Sequence, residues 1–100
     1  LAFGRAGTDA EALAMSDETG ELSGPAGIAV DSNGRVYVSD TYNHRIVRYT
    51  KSGEFDAAFG GFGSGDTKLA YPKGIAVTAG GDIIVADYGN HRIQKLSPPE

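Results

Sequence analysis

Short apolar or alternating runs, each closed by a glycine-centred polar turn, fill residues 25–60 and then again 72–96. Gly27-Ile28-Ala29-Val30 is apolar at every position, which predicts a strand buried on both faces. Asp31-Ser32-Asn33-Gly34 follows as a hairpin turn, because Asn-Gly accepts positive φ. Val36-Tyr37-Val38 is strongly β-prone, and Asp40 to His44 is a polar reversal. Arg45-Ile46-Val47-Arg48-Tyr49 makes a third strand, Ser52-Gly53 turns the chain again, and Phe55 to Phe59 forms a fourth. Four antiparallel strands per unit is the make-up of a propeller blade.

The unit then recurs. Pro25 to Val30 aligns with Pro72 to Val77, a period of about 47 residues, and the register holds without a gap. Gly34 falls on Gly81, Val38 on Val85, Asp40 on Asp87, and Asn43-His44-Arg45-Ile46 on Asn90-His91-Arg92-Ile93. The second unit has strands at Gly74–Val77, Asp82–Ala86 and Arg92–Leu96, then stops at Ser97-Pro98-Pro99, where paired prolines cannot continue a ladder. Residues 1–4 carry a lone strand (Leu1–Phe3), 5–21 an inter-blade insert, 22–60 the first blade, 61–68 a glycine-rich link and 69–100 a second blade lacking its fourth strand. In the insert, Thr8 and Glu11 have capping-box spacing, and Asp9–Met15 predicts a short helix.

An unfinished blade predicts a partner. Leu1–Phe3 has the pattern of a fourth strand, and laid along Arg92–Leu96 of a neighbouring chain it would complete that chain's last blade. Two blades cannot close a ring, and each end would bare an apolar face. The expected fold class is therefore all-β: a β-propeller of four-stranded antiparallel blades, two per chain, closed by homo-oligomerisation. Known propellers have about four to eight blades, so a dimer, a trimer or a tetramer is the range.

Composition narrows the partners. A net charge of −4 argues against nucleic acid, although Arg35, Arg45, Arg48, Lys51, Lys73, Arg92 and Lys95 gather in the repeats while the acidic residues crowd the insert. The absence of cysteine removes disulfides and thiolate metal sites. No tract of about 18 apolar residues is present, so no membrane-spanning helix is expected. The opening residues carry no signal-peptide pattern, and the compartment stays open.

Candidate chemistry sits in the reversal between the second and third strands. Asp40 can meet Arg45, and Asp87 can meet Arg92, with Asn43 or Asn90 tying the turn. A structural role is expected for this set because it recurs in both blades, whereas a catalytic site occurs once per ring and breaks the repeat. His44 and His91 are the only histidines; on the rims of neighbouring blades they stand too far apart to converge on zinc, and no metal or cofactor is expected. Tyr42 and Tyr88 flank the loop arginines, where packing on the loop competes with stacking on a ligand. Strand parity puts Thr41–His44, Tyr88–His91, the insert and the link on one rim. Tyr42, Asn43, His44, Arg45, Tyr88, Asn90, His91 and Arg92 are its candidate binding residues. No serine has a nucleophile-elbow context, and Gly60 to Gly65 lacks the lysine of a phosphate loop.

At Pro25 to Asp31, Gly34, Val36 to Asp40 and Asn43 to Ile46 the sequence closely resembles the NHL repeat, and the second copy keeps the pattern at Pro72, Gly74 to Val77, Gly81, Ile83 to Asp87 and Asn90 to Ile93. The second copy departs at Thr78, where the pattern favours aspartate, and at Gly80, which weakens the hairpin there. The resemblance implies a β-propeller, most often six-bladed, hence a trimer of this chain. Members of the family serve as RNA- or protein-binding platforms, as sensor domains and as the body of amidating lyases, so fold alone licenses none of these. The expected function is a non-catalytic, self-assembling scaffold with a protein- or peptide-binding rim. The alternatives are a protein- or RNA-binding module from a larger propeller and, last, a metal-dependent lyase.

Overall fold

The computed structural model describes residues 5–6 and 21–99. The strand expected at Leu1–Phe3 and the helix expected over Asp9–Met15 lie outside the described residues. A short parallel pair, β1 (Arg5–Ala6) and β2 (Glu21–Leu22), brings the two ends of the insert together. Two antiparallel meanders follow. The first runs β3 (Pro25–Val30), β4 (Val36–Asp40), β5 (Arg45–Tyr49) and β6 (Phe55–Gly60). The second runs β7 (Pro72–Val77), β8 (Ile83–Asp87) and β9 (Arg92–Leu96), three strands among the described residues.

All three hairpins at one end of the blades are built alike. The opening residue donates its N–H to the carbonyl four positions on, at 3.0 Å for Asp31, 2.8 Å for Thr50 and 2.8 Å for Thr78. The last loop residue is a glycine at positive φ (Gly34, Gly53, Gly81), as a type I turn with a left-handed closing residue requires. The side chain of the opening residue then accepts the N–H of the residue that restarts the strand. Thr78 Oγ1 does for Asp82 what the Asp31 carboxylate does for Arg35, so the second copy keeps its hairpin despite Gly80.

The core lies between the blades. Tyr37 and Ile46 of the first blade pack against Leu69, Ile83, Val85 and Leu96 of the second, with Ile75 and Val77 at the margin. A separate cluster of Leu22, Val36, Val38, Val47 and Tyr49 lines the opposite face of the first blade. β3 lies against β7, and Gly27 is what lets them approach: a Cβ there would fall inside contact distance of the Lys73 carbonyl. Two hydroxyls fasten the seam. Thr41 Oγ1 donates to the Pro72 carbonyl at 2.7 Å, and Ser39 Oγ donates to the Lys73 carbonyl.

One expectation needs correction. The apolar run of β3 predicts burial on both faces, yet Ile28 is 66 % and Val30 59 % exposed. Their counterparts Ile75 and Val77 pack into the inter-blade core because a blade precedes them. Among the described residues no blade precedes β3.

Candidate binding rim

Each blade places a buried carboxylate at the end of its second strand, opposite the first residue of its third. Asp40 Oδ2 accepts Arg45 Nε at 2.8 Å and Asn43 Nδ2 at 3.0 Å, while Oδ1 accepts the Ser23 amide at 2.7 Å. Asp87 repeats this with Arg92 Nε at 2.8 Å, Asn90 Nδ2 at 2.9 Å and the Ala70 amide at 2.7 Å. Burial alone would raise the Asp87 pKa, but the amide of Ala70 and the side chains of Asn90, Arg92 and Gln94 outweigh it and hold the carboxyl below its ordinary value. The carboxylate is thus the knot joining the chain entering a blade to the reversal inside it.

A 3-10 turn, Thr41–Asn43 or Tyr88–Asn90, carries the chain from carboxylate to arginine. It closes on a histidine in the left-handed region, His44 at φ 54 and His91 at φ 55. Histidine is one of the few side chains enriched there, which accounts for its recurrence. His44 Nδ1 accepts the Tyr71 amide at 3.0 Å, and its ring meets the Tyr71 ring at 4.5 Å and the Phe62 ring at 4.7 Å. Burial lowers the His44 pKa, against a weaker upward pull from Asp40. Among the described residues no three His, Asp or Glu side chains gather as a metal site would need.

The link of residues 61–68 lies on this rim. Gly61 donates to the His44 carbonyl at 2.8 Å, Asn90 Nδ2 donates to the Gly63 carbonyl at 2.8 Å, and one Arg92 nitrogen donates to the carbonyls of Gly65 and Lys68 at 2.9 Å each. Of the eight candidate rim residues, Asn43 and Arg45 are buried in the turn, and Asn90 and Arg92 are half-buried under the link. Tyr42, Tyr88 and His91 face outward. Two residues that the loop pattern missed stand with them: Tyr71 and Lys73, at the start of β7. With Thr41, Tyr42 and Tyr88 they line a cleft of about 300 Å³ at the blade junction. Their signal in the sequence is a mismatch, since Tyr71 and Lys73 align with Gly24 and Ala26.

The NHL repeat family model matches residues 22–49 and 69–96. The chain is 42 % identical over 52 residues to Protein brain tumor of Drosophila melanogaster, covering 52 % of this chain and 5 % of that protein. It is 48 % identical over 50 residues to RING finger protein nhl-1 of Caenorhabditis elegans, covering 50 % of this chain and 5 % of that one. The chain thus spans about 5 % of the length of these curated relatives. A streptogramin B lyase structure superposes with a TM-score of 0.59 over 82 % of this chain and 24 % of that one; at 21 % identity the likeness is one of fold alone.

Proposed function

The chain belongs to the NHL-repeat family, and from that premise we propose that it is a non-catalytic interaction module, a two-blade propeller unit that stacks head to tail on copies of itself and offers its rim to a protein ligand. One observation carries the reading: the two free ends of the blade pair are counterparts of the two surfaces already joined in its middle. Ile93 is 68 % exposed, whereas Ile46, its counterpart one repeat earlier, is fully buried against the second blade. At the other end Ile28 and Val30 stand open where Ile75 and Val77 are packed. An apolar hollow of about 270 Å³, lined by Leu22, Pro25, Ile28 and Val38 among others, opens on that end. Gly74 has only the Ala86 Cβ, at 3.8 Å, near the space a side chain would fill. A neighbour's β3 lying where β7 lies against Gly27 would give that glycine its reason.

Three copies would make the six blades usual in the family, and residues 1–4 of each would add the fourth strand along β9 of the next. Mass in solution by light scattering tests this, with about 31 kDa expected for a trimer of 10.4 kDa chains. A second reading has its own support: because the chain spans about 5 % of its curated relatives, the same two surfaces would serve equally as seams to further blades of one longer polypeptide. A single 10.4 kDa species at all concentrations favours that reading over the ring.

A further inference from the structure

The cleft at the blade junction is an addition to the repeat. Tyr42 and Tyr71 meet edge to face, with ring centres 6.2 Å apart and planes at 81°, and form an aromatic corner. Opposite them the Lys73 ammonium sits 4.6 Å from the centre of the Tyr88 ring. All three tyrosines are exposed. The lining holds a lysine and three phenols but no carboxylate, and among the described residues no acidic side chain pairs with Lys73.

Comparing the two repeats separates what the blade needs from what it carries. Asp40 and Asp87, or Arg45 and Arg92, are the same residue twice because each blade needs them. Tyr42, Tyr71, Lys73 and Tyr88 instead align with Gly89, Gly24, Ala26 and Thr41, so a blade folds without them. Tyr71 is also held at φ 52, where its counterpart is a glycine at φ 63. A bulky residue pays conformational energy there, and such strain collects at ligand clamps.

We propose that this cleft binds an extended acidic peptide segment of a partner protein. Apolar or proline groups of the segment would lie in the Tyr42–Tyr71 corner, as extended peptides do in aromatic-lined grooves. A carboxylate would pair with the Lys73 ammonium on the side away from the Tyr88 ring. A single cation is too little for a phosphate backbone, which needs several. The proposal rests on the reading of this rim as a binding face, but the cleft lies within one chain and does not depend on the ring.

The test is fluorescence anisotropy with a short fluorescein-labelled peptide of alternating glutamate and proline, its glutamine analogue, and a single-stranded RNA of similar length. The glutamate peptide should bind, and the analogue at least about tenfold more weakly. Lys73→Gln and Tyr88→Ala should each lose about tenfold or more, while Lys95→Gln, on the open face of β9, should change nothing. Circular dichroism melts check that each variant is folded. Equal affinity for the two peptides, no binding, an undiminished Lys73→Gln, or preference for the RNA overturns the proposal. Repeating the titration on Ile93→Asp separates the two ideas. Binding retained at the single-chain mass leaves the cleft intact whatever becomes of the ring, and binding lost by Tyr88→Ala at unchanged oligomer mass is the cleft's own signature.

Discussion

Replacing Ile93 with aspartate puts the head-to-tail reading at risk, and its size can be worked out beforehand. In a lone chain the change falls on the surface and should alter stability by no more than about 0.5 kcal/mol. In a ring, Ile93 takes the place that Ile46 has inside the chain, fully buried between blades. Four side chains would be newly covered at each seam: Ile28, Val30, Ile84 and Ile93, now 66, 59, 37 and 68 % exposed. At about 1.5–3 kcal/mol per fully buried side chain they contribute roughly 3–7 kcal/mol per seam. Association itself costs about 4–15 kcal/mol, so one seam only breaks even and a dimer should be scarce. Closing the ring adds a last seam without a further loss of free translation, which favours a direct passage from single chains to trimers. An aspartate at position 93 removes roughly 2 kcal/mol from every seam and sets a carboxylate against isoleucine, so the ring should not form. Light scattering should then report 10.4 kDa chains, with a melting temperature that no longer depends on concentration. A variant with the parent's oligomeric mass, or a parent that is itself single, would refute the reasoning.

Three further outcomes follow from the geometry. Arg45 is 4 % and Arg92 30 % exposed, so in the Ile93→Asp background Arg45→Ala should cost about 3–5 kcal/mol and Arg92→Ala about 1 kcal/mol; equal losses in urea titration would undo the burial argument. Gly27→Ala, with its Cβ against the Lys73 carbonyl, should prise the blades apart and abolish a single cooperative melt, whereas Gly74→Ala should fold normally yet fail to assemble; identical melts and masses would contradict this. Only a neutral His44 can accept the Tyr71 amide, and burial holds its pKa below 6.5. Its contribution is therefore complete above the unfolded pKa of about 6.5 and disappears as pH falls through the lower folded value. Hydrogen exchange, corrected for its intrinsic pH dependence, should show the Tyr71 amide losing protection on acidification; protection that stays constant through the acid range for as long as the blades remain folded would rule the coupling out.

The strands and their register were legible because the same period-2 runs and glycine-closed turns occur twice, and each copy checks the other. The Asp40–Arg45 reversal was legible for the same reason: two oppositely charged residues five apart across a tight turn have little else to pair with. What stayed hidden has physical causes. β3 is apolar throughout, as a doubly covered strand is, and no local pattern says whether a chain contains the blade that covers it. That His44 and His91 each close a turn at positive φ is a backbone property that the residue names alone do not spell out. Tyr71 and Lys73 belong to a stretch where the copies disagree, so the alignment that revealed the fold passed over the residues that complete the cleft.

The hydroxyls of Ser39 and Thr41 have a consequence for how any such assembly would come apart. Their counterparts in the second blade are Ala86 and Tyr88: alanine has no hydroxyl, and tyrosine carries its own at the far end of a ring. The seam inside each chain therefore carries two hydroxyl latches, and a seam between chains would close without them. Dilution or mechanical load would open the unlatched seams first, so the currency of subunit exchange would be blade pairs, and hybrid rings would always mix in twos.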